Sequence, residues 1–416
     1  MRSLGDTREL PMIHIAGGTY REFCEFPEWR AMYGSAGRAA AAISTLSDQV
    51  FLSTFGQLST KPNRQSLADQ FAFIIKGYVE APDVAFRYFH CLSKPEIWPR
   101  RETLDGSPTL RIEDTNVLRF GAIEGQIVVK AERAVYDPQS AFNPEPFHAN
   151  SSSAKSLAIV CNGYEASLWT GAKDPKQAAS ALLANHKADV VVLKMGHEGA
   201  YVYTPNNQPQ LVAPYMTGHV FSIGSGDVFS AVFAHFWAEQ NMDPIDAATQ
   251  ASLATAIYCE TQSLPITTQS LQDTTLHPQP FTMRPQAQRA HYDVYLAGPF
   301  FTMAQRWLVE EARNALRAAG LKVFSPYHEV GNGPASHVAP LDIAALNQSA
   351  LVLALIDGLD AGTIYEAGYA AAKGVPVVAF SEQVSNEDLK MIAGNGAEIH
   401  SDFTTAIYRA CWKALK

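Results

Sequence analysis

The 416-residue chain is poor in the features that mark several protein classes. It has only 5 cysteines (Cys24, Cys91, Cys161, Cys259 and Cys411), scattered and without a C-x-x-C pair. That argues against a disulfide framework or a structural zinc site, and fits a reducing cytoplasm. The 12 histidines show no ligand spacing, so no metal site is expected from them. No run of Lys and Arg stands out and the net charge is -9, which disfavours a nucleic-acid partner. No apolar stretch approaches membrane-spanning length, so no membrane partner is expected. Met1 to Leu10 carries Asp6 and Glu9 and lacks an apolar core, so no signal peptide is visible.

What remains describes a globular α/β protein. The hydrophobic fraction is 47% and the charged fraction 18%. The length calls for two or three domains. Gln262 to His291 is rich in Thr, Gln and Pro and reads as a linker (262–291) between a first domain (1–261) and a second (292–416). In the second, strand and helix patterns alternate. Strands are expected at Asp293–Ala297, Lys322–Ser325, Leu351–Ile356 and Val375–Phe380, with helices between them and a last one at Phe403–Leu415. That alternation predicts a doubly wound parallel sheet covered on both faces. The first domain also reads as α/β, with strands at Met12–Ala16, Val50–Thr54, Leu157–Cys161 and Val190–Lys194. Between Arg100 and Glu132 it turns β-rich, with hairpin signals at Asp105-Gly106 and Glu124-Gly125, as for a small lid or an oligomer-forming sheet.

The richest segment follows the apolar run Leu351–Ile356 and carries Asp357, Asp360, Gly362 and Glu366. In an open parallel sheet, ligands bind outside the carboxyl ends of the strands. Three acids there repel one another, which calls for a functional reason. Thr363 with Glu366 also has the form of a capping box at a helix start. With Tyr295-Leu296-Ala297-Gly298-Pro299 and Asp342, the segment resembles nucleoside 2-deoxyribosyltransferases and related nucleotide N-glycosidases. The resemblance implies a flavodoxin- or Rossmann-like domain in which Glu366 attacks the anomeric carbon and Asp360 meets the leaving base. Tyr295, Gly298, Asp342, Asp357 and Gly362 would then line the substrate. No cofactor is needed for such a step. Val375 stands where the family often has lysine.

In the first domain, Ser222-Ile223-Gly224-Ser225-Gly226-Asp227 precedes an apolar helix. Free amides at such a helix start form an anion site, and an aspartate there is placed to take a proton from an attacking hydroxyl. Gly34-Ser35-Ala36-Gly37-Arg38, Asn162-Gly163-Tyr164-Glu165 and Lys194-Met195-Gly196 complete a pattern that resembles ribokinase-like (PfkB-type) carbohydrate and nucleoside kinases. The resemblance implies a three-layer α/β domain with a small β-rich lid. It places the catalytic base on Asp227 and ATP with Mg2+ near Gly224, Ser225, Gly226, Asn162, Glu165, Lys194 and Gly196. Substrate would lie near Glu22, Gly34, Ser35 and Arg38. The departures fall on the sugar-reading side: Phe221 replaces an aspartate, Arg38 an asparagine, and Glu22 an early aspartate. Arg38 is permanently charged and suits an anionic ligand.

Together these features predict a cytoplasmic, bifunctional enzyme of nucleoside metabolism acting on a nucleoside, nucleotide or sugar. The alternative is that the first domain senses a ligand without catalysis. A homo-oligomer of even number is expected, with Met391–Asn395 and the C-terminal helix as candidate contacts.

Overall fold

The computed structural model describes residues 12–139, 144–275 and 277–416. The expectation about Met1–Leu10 lies outside them. The chain divides into two compact units. The first comprises residues up to 89, 93–217 and 221–279; the second comprises 90–92, 218–220 and 280–416. No helix among the described residues is long and apolar enough to cross a membrane.

The first unit is built on a nine-stranded sheet. Met12–Ala16 lies inside it, parallel to Gln49–Gly56 on one side and to Thr109–Phe120 on the other. The sheet continues through Gln126–Asp137, Ser153–Asn162 and Val190–Lys194, all parallel, and ends in antiparallel Ala200–Tyr203 and Gln210–Val212. A separate four-stranded antiparallel sheet joins Trp29–Met32, Arg21–Phe26, Ala85–His90 and Glu96–Trp98. This is the α/β architecture expected of the first domain, with a small separate sheet beside the large one.

The small sheet is not where the sequence placed it. The segment 100–132 instead feeds the large sheet, and Glu124-Gly125 makes no hairpin. Thr109–Phe120 and Gln126–Asp137 run parallel at a constant offset. A straight strand of that length spans about 36 Å, whereas the link 121–125 reaches at most about 20 Å. Each strand must therefore bend sharply. Pairing is interrupted at Thr115, Glu132 and Lys155, at equivalent points of three neighbouring strands. Glu132 and Lys155 form an ion pair there, 2.6 Å long. Leu110, Ile112, Ile127 and Val129 join Val117, Ala134 and Tyr136 in one buried cluster, filling the inside of the bend.

In the second unit five parallel strands lie in the order Val323–Phe324, Tyr292–Ala297, Ser349–Leu355, Val377–Phe380, Glu398–His400. Numbered along the chain this is 2-1-3-4-5, the flavodoxin-like order, whose switch point lies between strands one and three. Leu351 to Ile356 is buried throughout, which explains its near-continuous apolar character. The last helix, Phe403–Leu415, has ten buried residues and packs on the sheet. That burial removes it from the candidate oligomer contacts. Met391 remains, 75% exposed.

Candidate active sites of the two units

The switch point of the second unit gathers the acidic motif. Tyr295, on the first strand, is fully buried, and its phenol donates to Oε1 of Glu366 at 2.6 Å. Glu366 lies on the helix Ala361–Ala372. The helix start differs from the expected capping box. Asp360 is the N-cap, accepting at Oδ2 from the Thr363 amide at 2.8 Å and from its hydroxyl at 3.0 Å. Glu366 therefore sits in the second turn, free of any capping duty.

The electrostatics single out the same residue. Burial pushes the Glu366 carboxyl up to about 7; Asp342 and Asp360 add to the shift, and the Tyr295 hydrogen bond opposes it. Burial also raises Asp342, on the helix Ala335–Leu346, and its Oδ1 has no protein partner. Burial thus shifts both carboxyl groups in the same direction, toward the protonated form.

Asp357 does other work. It accepts from the Ser381 hydroxyl (2.9 Å) and from the amides of Glu382 (2.8 Å) and Gln383 (3.0 Å), tying its loop to the end of the next strand. Gly298 packs tightly, since a Cβ there would lie 3.2 Å from Leu355. Gly362 sits beside Asp360 Oδ2, at 3.1 Å from an ideal Cβ.

In the first unit, Asp227 stands in the first turn of the helix Ser225–Ala234, with Gly224 as N-cap at φ +79°. Its Oδ2 accepts from Arg38 Nη1 at 2.8 Å and its Oδ1 accepts from Gln139. Arg38, on the helix Gly34–Ile43, is wholly buried. It also grips Glu22 through two hydrogen bonds of 2.6 and 3.1 Å. The rings of Tyr33 and Trp29 lie 5.2 and 5.8 Å from its guanidinium. Burial opposes the charge of Arg38, but Glu22, Tyr258 and Asp227 outweigh it and hold the group more firmly protonated than usual. A Cβ on Gly224 would strike this guanidinium at 2.2 Å, so the glycine is required by Arg38 as well as by its φ. Gly34, at φ +58°, likewise lets the backbone approach Gly18 and Tyr20. Ser35 is hydrogen-bonded to Tyr20 and to Gln139.

The phosphate-side residues form a second group. Lys194 donates to Asp137 Oδ2 at 2.7 Å, as does Ser230, and Asp137 Oδ1 is buried without a partner among the described residues. An ideal Cβ on Gly226 would lie 3.3 Å from the Lys194 ammonium. Burial pulls Lys194 down, but Asp137 and Glu165 more than reverse it. Asn162 and Glu165 form a capping box at the helix Gly163–Thr170. Gly196, at φ +57°, opens the turn after Lys194.

A polyphosphate with Mg2+ fits this side. Lys194 and the amides at Gly224–Gly226 would hold the phosphates, and Asp137 and Glu165 offer carboxylates to a hydrated cation. That combination would neutralise charge during phosphoryl transfer. Among the described residues no group of three His, Cys, Asp or Glu side chains could hold a metal ion alone. The hydroxyl side fits less well, because Arg38 occupies the space next to Asp227. Asp137 and Gln139 escaped the motif search. Their signal was their place immediately after a buried strand, at its carboxyl end.

Comparison with known proteins agrees with both halves. Residues 136–269 match the model of the pfkB family carbohydrate kinases, and residues 294–400 match that of nucleoside 2-deoxyribosyltransferases. Comparison with curated proteins finds no match. Similar solved structures include a ribokinase from Thermotoga maritima (14% identity, 63% of this chain and 98% of that one, TM-score 0.44). Another is Arabidopsis thaliana ribokinase complexed with ribose and ATP (12% identity, 64% and 100%, TM-score 0.46). A third is the fructose-, ADP- and calcium-bound fructokinase of Vibrio cholerae (14% identity, 63% and 98%, TM-score 0.44). The chain thus carries two matched segments, one similar to pfkB family carbohydrate kinases and one similar to nucleoside 2-deoxyribosyltransferases.

Proposed function

We propose that the second unit breaks the N-glycosidic bond of a (deoxy)nucleoside or nucleotide, with Glu366 as nucleophile. The observation that carries this is the Tyr295–Glu366 hydrogen bond at the switch point, on a carboxyl raised to about 7. A carboxylate oxygen of Glu366 forms a bond to the anomeric carbon as the C–N bond breaks. The electron pair of that bond leaves on the base nitrogen, which takes a proton. Asp360 keeps Oδ1 for the base while Oδ2 caps the helix. Asp342, biased by burial toward its protonated form, supplies a second carboxyl group. Water then releases the sugar and makes the enzyme a hydrolase, or a second base takes it and makes the enzyme a transferase. Incubation with a panel of nucleosides and nucleotides, followed by chromatography for free base, tests this. No base from any of them contradicts it.

For the first unit, the companion activity is ATP-dependent phosphorylation of a sugar or nucleoside hydroxyl, with Asp227 as base. A second reading, a ligand-binding unit that regulates the glycosidase, is favoured by one observation. Both oxygens of Asp227 are engaged, one by a buried guanidinium that also holds Glu22. A general base must lie within hydrogen-bond reach of the hydroxyl it deprotonates. ADP formation from ATP with sugars, nucleosides and their phosphates separates the two readings.

The assembly we propose is a cytoplasmic homo-oligomer of even number. The exposed side chains Tyr365 and Met391 of the second unit are candidates for its contact.

A further inference from the structure

Tyr295, which donates to Glu366, is itself held by a ring on the next strand. Tyr295 is fully buried, and its phenol must point at Glu366 Oε1 to reach it at 2.6 Å. Such a bond is directional, so the setting of the ring matters. Parallel pairing places Tyr295 opposite Phe324. The two rings stack at 5.5 Å between centroids, with their planes 17° apart. That separation and near-parallel setting belong to the favoured offset stack. Phe324 is 6% exposed and also meets the Tyr292 ring at 5.1 Å.

The strand that carries Phe324 is poorly suited to hold a ring in place by itself. Val323–Phe324 has only two residues and lies at the edge of the sheet. A strand so short has few ladder bonds to fix its side chains. It is anchored at both ends instead. At the entry, the buried Asp293 carboxylate accepts from the Lys322 amide at 2.8 Å. The Lys322 carbonyl accepts in turn from the amides of Asp293 and Val294, at 2.9 and 3.2 Å. At the exit, the buried Ser325 hydroxyl meets His328 Nδ1 at 2.9 Å, and His328 Nε2 meets Glu310 Oε1 at 2.8 Å. Glu310 lies on the helix Met303–Ala318. Polar contacts are directional, so they fix Phe324 more tightly than apolar packing alone would.

We propose that Phe324 is a positioning residue for the nucleophile: its ring, stacked on Tyr295, keeps the phenol aimed at Glu366. This rests on the reading of Glu366 as the attacking carboxylate. Phe324 acts through Tyr295 rather than on the sugar. Without the stack the phenol ring tilts, and ionised Glu366 loses the donor that favours it.

The test follows the titration of Glu366 in the full chain, by carbon NMR with carboxyl-labelled glutamate, with Glu366→Gln identifying the signal. Tyr295→Phe should raise the midpoint by about one pH unit, as expected for losing a hydrogen bond to a charged group. Phe324→Leu removes the flat face and should raise it by about half a unit or more. The double variant should go no further than Tyr295→Phe alone, because both changes act on one bond. If the leucine variant does not fold, Phe324→Met, with its adaptable apolar chain, takes its place. In base release, the rising limb of kcat/KM should move with the midpoint, with kcat lowered and KM within about twofold of wild type. Ile407→Val, a buried trim outside the cluster that contains Tyr295 and Phe324, should leave the midpoint where it is. An unmoved midpoint in the Phe324 variant, full addition to the Tyr295→Phe shift, or an equal shift in Ile407→Val each overturns the proposal. If the wild type releases no base from any nucleoside or nucleotide, the nucleophile reading fails instead. The titration needs no substrate and still decides the role of Phe324.

Discussion

Arg38 and Asp227, 189 residues apart in sequence, meet at 2.8 Å in the interior of the first unit. The guanidinium is completely buried, and its two amino groups also donate to Glu22. Each oxygen of Asp227 thus already accepts a hydrogen bond, one from Arg38 and one from Gln139.

Removing Arg38 should therefore cost stability rather than only activity. Arg38→Met leaves Glu22 and Asp227 buried and unpaired, and breaking a buried pair costs about 3–5 kcal/mol. Urea denaturation at neutral pH should show a loss of that order in the first unit's transition. A loss below about 1 kcal/mol would place this contact with ordinary surface ion pairs.

The pH profile of base release should report Glu366. Its carboxyl is raised to about 7, chiefly by burial, and only the ionised form attacks. The kcat/KM value should rise with pH and level off above about 7. Tyr295 stabilises the ionised form, so Tyr295→Phe should move this limb to higher pH and lower the plateau. A limb unmoved by that substitution would detach Tyr295 from the nucleophile.

The raised carboxyl also predicts a stability effect of opposite sign to the activity effect. The folded state favours protonated Glu366, so its contribution is full below the ordinary carboxyl value of 4.5 and is lost as pH rises through about 7. Glu366→Gln removes that loss. With discount for partial exposure, the variant should be more stable than wild type by about 1–2 kcal/mol at pH 8, and equal to it below pH 4.5. Equal stability at both pH values would show that Glu366 is not strained by burial.

Four of the second unit's five strands were legible in sequence, and the acids follow one of them directly; Glu398–His400, three residues with one apolar side chain, gave no such signal. The unit's helix start was misassigned because Asp360-x-x-Thr363 and Thr363-x-x-Glu366 both have the form of a cap, and only the fold decides between them. The first unit was harder. A sharply bent parallel strand has the same alternation as a hairpin arm, so Thr109–Phe120 and Gln126–Asp137 read as the wrong object. Arg38 was visible as a departure from a motif, but its ion-pair partners Glu22 and Asp227 lie 16 and 189 residues away. Nothing local announced that it would be buried between Glu22 and Asp227. Gln139 belongs to no motif and is significant only through its contacts.

Oligomer state offers a further check. If the second unit's exposed apolar side chains form an interface, light scattering should find a dimer or larger even assembly. Met391→Glu, at a residue 75% exposed, should shift it toward monomer. A fully active monomer at assay concentration would contradict this assembly.

The most direct test of the account is base release by Glu366→Gln. This substitution keeps the size of the side chain and an acceptor for the Tyr295 phenol, and removes only the charge that attacks the sugar. With a nucleoside or nucleotide that the wild type cleaves, release should fall by at least about a thousandfold, as expected for a group acting in the transition state. Release near the wild-type rate by a folded Glu366→Gln protein would contradict the assignment of the nucleophile.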